Sequence, residues 1–150
     1  MTTPRIEINV AKIVHNAKKL KELYGSKGIG VTAVTKVVCG DPAIVEALIK
    51  SGLDTIADSR IENIQRMHDA GIQARFVLLR TPLLSQVESV VRYADISLNS
   101  ELSVIKALSK ATVKQDTTHR IILMVEMGDL KRGDNAFGFR GRRKRCTRTR

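Results

Sequence analysis

Apolar residues along this chain recur in two alternating rhythms, short β-branched runs and longer stretches at helical spacing. In residues 10–25, Val10, Ile13, Val14, Ala17, Leu20 and Leu23 share one helical face, with Asn9 placed as a cap and Gly25 as a stop. Ile6–Ile8, just before, is a short strand candidate. Ile29–Val34 is nearly all apolar and β-branched, the pattern of a strand buried on both faces of a parallel sheet. Asp41-Pro42 opens the next helix, since an aspartate caps well and proline loses nothing in the first turn. Its stripe is Ile44, Val45, Leu48 and Ile49, and Gly52 ends it. The alternation continues with strands at 54–58, 75–79, 94–98 and 119–127. Helices are predicted at 60–70 (closed by Gly71), 82–92 and 100–111, the last with Glu101 suited to its first turn.

Six strand candidates separated by about five helices imply a parallel sheet with right-handed crossovers. An open doubly wound sheet and a (β/α)8 TIM barrel both satisfy that pattern. No G-x-G-x-x-G follows the first strand, and Gly25, Gly28 and Gly30 precede a strand rather than follow one. The barrel is therefore favoured. A whole barrel takes ~250 residues, so the expected fold is α/β, a partial barrel of about six parallel strands and five helices.

Composition narrows the setting. Apolar residues make up 43% of the 150, as in a soluble globular chain. No apolar run nears the ~18 residues of a membrane span. The opening MTTPRIEINV has no charged-then-apolar leader, which points to the cytoplasm. Cys39 and Cys146 are isolated, and His15, His68 and His119 lack ligand spacing, so neither a disulfide framework nor a metal site is expected.

The net charge of +11 belongs mostly to the tail. Residues 131–150 hold nine Lys/Arg and one acid, a net of +8, whereas residues 1–130 carry +3. The division expected is a body at 1–130 and a basic tail at 131–150. The tail reads either as a disordered arm or as out-of-frame or truncated translation of a longer gene; the alternation stopping mid-fold favours the second.

Lys36 is the leading chemical candidate. It stands just past the strand Ile29–Val34, at the end of a parallel strand where ligands bind. Beside Val34, Val37 and Val38 it is expected to be partly desolvated, which exposes the lone pair that attacks an aldehyde. On position alone, a strand-end lysine reaching to solvent is the favoured reading.

The linked segments TAVTKVVCGDP, IADSRIENIQ, LLRTPLL, SLNSE and LMVEMGDL together resemble the fold-type III pyridoxal-phosphate enzymes, and more narrowly the alanine/ornithine racemase family. The resemblance spans residues 4–130. It implies a (β/α)8 barrel followed by a β-rich domain, a homodimer, an amino-acid substrate, and pyridoxal 5'-phosphate joined as a Schiff base to the lysine matching Lys36. It also implies that the second base of racemisation is a tyrosine from the partner subunit's C-terminal domain. Tyr24 and Tyr93 fall within helical stretches and are poor substitutes.

Ser59, Arg60 and Asn63 are then expected to line the cofactor or substrate-carboxylate pocket, with Asp58 or Ser59 also capping the helix that follows and Glu62 reaching back. Arg80, Thr81, Asn99 and Ser100 end two further strands and are candidate pocket contacts. An arginine close after the segment matching MGDL belongs to the family pattern. Here that place reads Lys131-Arg132, making Arg132 the cofactor-binding candidate beside Asp129.

Cys39 has no histidine nearby and reads as a small buried or loop residue, while His119 reads as structural. The leading function is a pyridoxal-phosphate-dependent amino-acid racemase, incomplete in this chain. A non-catalytic pyridoxal-phosphate homeostasis protein is the alternative, although its usual G-E-N after the third strand contrasts with DSRIEN here. Nonspecific nucleic-acid binding through RGRRKRCTRTR is a third reading.

Overall fold

The computed structural model describes residues 7–125. Helix α1 spans Val10–Gly25, and Asn9 caps it by accepting the Lys12 N–H at 3.0 Å. Only Ala17 of its apolar stripe is fully buried; Leu20 and Leu23 are exposed. Residues 7 and 8 form no strand, and Ile6 lies outside the described residues. Strand β1 is shorter than expected, Ala33–Val34 rather than Ile29–Val34. Among the described residues it pairs with β2 alone, so the residues before it have no second ladder there to join.

Helix α2, Pro42–Lys50, starts as its sequence implies: Asp41 accepts the Ala43 and Ile44 N–H groups at 3.0 and 3.3 Å. Strand β2 (Thr55–Asp58), helix α3 (Ile61–Asp69) and strand β3 (Arg75–Leu78) follow at the predicted places. The helix expected from Pro82 begins later. Leu83 is extended, a 3-10 turn covers Leu84–Gln86, and helix α4 runs Val87–Tyr93. Strand β4 is Ile96–Asn99, helix α5 Leu102–Lys114, and strand β5 Arg120–Leu123. Glu101 stands at the N-cap of α5, where its charge still suits the helix start. Residues 126 and 127 of the last strand candidate, and the 130/131 boundary, lie outside the described residues.

All four strand pairings are parallel, in the order β1-β2-β3-β4-β5. A doubly wound sheet reverses its strand order at a switch point. This sheet never reverses, and α1 to α5 pack one against the next in chain order. The structure is an arc of a (β/α)8 barrel.

Alternation along the strands separates two faces. Ile56, Phe76 and Leu78 point into the helix layer, packing with Val45, Ile61, Ile64, Met67, Val90 and Leu108. Fully burying each such side chain is worth ~1.5–3 kcal/mol, so this layer holds the arc together. Val34, Ala57, Val77, Ile96 and Ile122 occupy the opposite face by register, and Val34 and Ile122 remain exposed.

Candidate functional site

The carboxyl ends of all the strands open on one side of the arc, and Lys36 stands there, two residues past Val34. It begins a 3-10 turn, Lys36–Val38, whose backbone is tightly held. Thr35, 1% exposed, donates its N–H to the Ala57 carbonyl at 2.9 Å and its hydroxyl to Asp58 Oδ2 at 2.9 Å. The Thr35 carbonyl accepts from the Val38 and Gly40 N–H groups, and Arg66 Nη1 donates to the Cys39 carbonyl at 2.9 Å. Gly40 has φ +63° and sits against Asn63, which a Cβ would approach to 3.0 Å. Glycine is required there on both counts.

The Lys36 side chain itself is exposed, without a hydrogen-bond or ion-pair partner among the described residues. This corrects the expectation of a desolvated amine. Val37 is 83% exposed, Val34 is exposed, and Val38 packs against the core, so among the described residues these three valines do not bury the lysine. Cys39 is a loop residue, with φ +53°, but exposed rather than buried.

Asp58 is fully buried at the end of β2, and its carboxylate ties three elements together. Besides the Thr35 hydroxyl it accepts the Arg60 N–H at 3.0 Å and Asn63 Nδ2 at 3.0 Å. The cap expected from Asp58 or Ser59 is not formed: Arg60 is the N-cap residue of α3, no side chain caps it, and Asp58 accepts the N–H of Arg60 just before the helix. Glu62 does not reach back; its carboxylate accepts Gln86 Nε2 at 2.9 Å instead. Asn63 is committed to Asp58 and buried beneath the Lys36 turn, so it braces the site from below.

Ser59 and Arg60 line a cleft of about 450 Å³ between the ends of β2 and β3, with Glu62, Leu78, Arg80, Thr81, Pro82 and Gln86. Thr81 also braces the next strand end. Its hydroxyl oxygen accepts the Ser100 N–H at 3.1 Å and lies 3.3 Å from the Ser100 hydroxyl. Asn99 lies apart from the cleft, fully buried on the helix side of β4. Its Nδ2 donates to the Ser97 carbonyl and hydroxyl at 3.1 and 2.8 Å. Asn99 Oδ1 has no partner among the described residues. The Ser97 hydroxyl lies 2.7 Å from His119 Nε2, and His119 Nδ1 lies 2.8 Å from the Ala94 carbonyl. A carbonyl only accepts, so Nδ1 carries the proton and Nε2 accepts from Ser97. Burial lowers the His119 pKa below its ordinary value, against the opposing pull of that carbonyl and of Asp95, and the ring serves as a neutral brace.

The structure therefore brings Ser59, Arg60, Arg80 and Thr81 to one cleft and Lys36 to the same end of the sheet. It places Asn63 and Asn99 in supporting layers, and Asp129 and Arg132 lie outside the described residues. Thr35 and Arg66 were not anticipated from the sequence. Their only signal there is polarity, a threonine ending an apolar strand and an arginine on the third helix. Among the described residues no group of three His, Cys, Asp or Glu could hold a metal ion. No described helix is long and apolar enough to cross a membrane.

The model of the family described as alanine racemase, N-terminal domain, matches residues 8–138. The chain belongs to that family. An ornithine racemase of Acetoanaerobium sticklandii is 42% identical over 130 residues, covering 87% of this chain and 36% of the relative. A lysine racemase of Thermotoga maritima is 38% identical over 133 residues, covering 89% and 38%. The chain thus spans little more than a third of the length of these curated relatives. Among solved structures, D-threonine aldolase from Filomicrobium marinum superposes with a TM-score of 0.72 at 17% identity, covering 85% of this chain and 35% of that one. That likeness is one of fold, and a shared fold does not by itself fix the reaction.

Proposed function

We propose that this chain is the barrel portion of a pyridoxal-phosphate-dependent amino-acid racemase, with Lys36 as the point of covalent attachment. The observation that carries this reading is the placement of Lys36. Among the described residues its amine has no partner, and it is exposed at the carboxyl end of the sheet, on a turn fixed by Thr35, Asp58, Asn63 and Arg66. An accessible primary amine on a rigid support is what an aldehyde cofactor requires. When bound, the cofactor supplies the electron withdrawal that lets a proton leave the substrate's Cα.

The chain's own residues then divide the remaining work. Lys36 Nζ holds the cofactor and moves the Cα proton on one face. Ser59 and Arg60 orient the anionic groups beside it. Ornithine and lysine racemases at 42% and 38% identity support an amino-acid substrate. A homodimer in the cytoplasm accords with this chemistry, the other base being, as the family resemblance implies, a tyrosine of the partner subunit's C-terminal domain. The body at 1–130 and the basic tail at 131–150, which would touch nucleic acid only nonspecifically, complete the proposal.

Non-catalytic binding of pyridoxal phosphate is favoured by one observation. Tyr24 and Tyr93 both lie at helix C-termini, and helices run back against the strands, so both stand at the end of the arc away from Lys36.

The experiment is to titrate the full chain with pyridoxal phosphate, record the visible absorption of the amine-bound cofactor, and trap it by borohydride for peptide mass mapping. The expected result is a modified peptide carrying Lys36, lost in Lys36→Ala. Equal absorption in both proteins removes the assignment. Racemisation of ornithine, lysine and alanine by the loaded protein then separates the catalytic reading from the binding-only one.

A further inference from the structure

The cleft between the ends of β2 and β3 carries two guanidinium groups that nothing in the fold uses. Asp58 pairs with Leu78 in the parallel register, and Arg60 and Arg80 each stand two residues further on, at matched positions of neighbouring strands. The ladder continues one step past that pair, with Leu79 donating its N–H to the Asp58 carbonyl at 2.8 Å, so the two chains leave the sheet side by side. Arg60 and Arg80 both line the cleft, both are exposed, and neither has a hydrogen-bond or ion-pair partner among the described residues.

Like charges at one cleft repel, and folding alone gives no reason to put them there. The carboxylate lining the same cleft, Glu62, accepts Gln86 Nε2 and is paired with neither arginine, so two positive charges stand against its one. Two further features favour negative charge. Helix α3 begins at Ile61 with no side-chain cap, so the first-turn N–H groups of Ile61 and Glu62, which line the cleft, have no intrahelical acceptor. The half-buried Ser59 lines the wall and adds a hydroxyl donor, whereas the Thr81 hydroxyl is engaged with Ser100.

We infer that this cleft is an oxyanion site in which Arg60 and Arg80 together hold one carboxylate or phosphate group. The inference deepens the proposed function and rests on its reading of the carboxyl end of the sheet as the ligand-binding end. The arginine pair is a binding element, separate from the covalent attachment at Lys36.

The test uses the full chain without pyridoxal phosphate, titrated separately with inorganic phosphate and with acetate at low ionic strength and followed by amide and guanidinium NMR shifts. Saturable shifts at Arg60, Arg80 and Ile61 are expected with at least one anion. Arg60→Ala and Arg80→Ala should each weaken binding about tenfold, as loss of a charge-assisted pair does. Arg80→Lys should fall between, keeping the charge but losing the fork. Preference for phosphate assigns the cleft to a phosphoryl group, and preference for acetate assigns it to a carboxylate. Lys106→Gln, on the exposed face of α5, should bind as the wild type does. No saturation with either anion, or equal weakening by Lys106→Gln, overturns the site. Both arginines are exposed, so the variants should keep the wild-type circular dichroism; if one unfolds, Arg80→Lys decides by the same titration. Lys36→Ala should leave anion binding intact, so failure of the covalent assignment and failure of this site are distinguishable.

Discussion

The Thr35 hydroxyl donates to Asp58 Oδ2 at 2.9 Å, and both side chains are almost completely buried. The residue immediately before Lys36 is thereby fastened to the end of the neighbouring strand. The same carboxylate receives the Arg60 N–H and Asn63 Nδ2, so one buried charge sets the relative positions of the Lys36 turn and the start of α3. Asp58→Ala leaves three donors without their acceptor in a dry setting and should cost about 3 kcal/mol. Thr35→Val removes one neutral donor and should cost about 1 kcal/mol. Urea midpoints of the two single variants and the double variant check this. Because the residues share one bond, the double loss should be smaller than the sum; strict additivity would show that the pair is not coupled.

Gly40 closes the Lys36 turn with φ +63°, and a Cβ there would meet the Asn63 Cβ at 3.0 Å. Gly40→Ala should therefore destabilise by about 1–2 kcal/mol from the backbone conformation alone. The contact with Asn63 adds to that. A matched measurement on Gly71→Ala isolates the two effects, since Gly71 has φ +78° but open space around it. Gly40→Ala should show the larger loss of denaturant resistance of the two.

The elements of the arc were legible because each carries its own local signal. Asn9 and Asp41 cap the helices they precede, and short apolar runs mark β2, β3 and β4. The length of β1 was not legible. Ile29–Val34 reads as a strand buried on both faces, but pairing on one side leaves only Ala33 and Val34 in the ladder. Lys36 could be found because strand ends are visible in sequence. The environment of its side chain could not, since that depends on which elements fold over Val34 and Val37. The Thr35–Asp58 bond and the meeting of Arg60 and Arg80 at one cleft join residues about twenty apart, set by strand register, which no local pattern encodes. Cys39 in the left-handed region was equally hidden, because a non-glycine residue there announces nothing beforehand.

Arg66 reaches from α3 to the Cys39 carbonyl at 2.9 Å, spanning 27 residues to hold the outer edge of the Lys36 turn. Its removal should barely affect global stability, by about 1 kcal/mol or less, because the bond is exposed. The turn itself should loosen. Amide hydrogen exchange at residues 36–40 is expected to quicken in Arg66→Ala while the core of α3 stays protected. Uniform quickening across the arc would mean that Arg66 supports the fold rather than the turn.

His119 gives the arc a definable pH response. Its ring is neutral in the fold, donating from Nδ1 to Ala94 and accepting at Nε2 from Ser97, which in turn receives Asn99. Protonating Nε2 would end the bond that the Ser97 hydroxyl donates to the ring and oblige that hydroxyl to turn and accept instead. Burial lowers its pKa below the ordinary 6.5, so the unfolded chain binds the proton more readily than the folded one. Stability from this group is therefore complete above about pH 6.5 and declines as pH falls from there toward the folded value. Denaturant midpoints measured from pH 8 to pH 5 should drop on the acid side in the wild type. His119→Gln, which cannot take up that proton, should lose stability at pH 8 and show a flatter profile below pH 6.5. The brace lies at the amino end of β5, away from Lys36, so cofactor absorption should follow the loss of folding and not precede it. A wild-type profile as flat as that of the variant would mean that the ring titrates alike in the folded and unfolded chains.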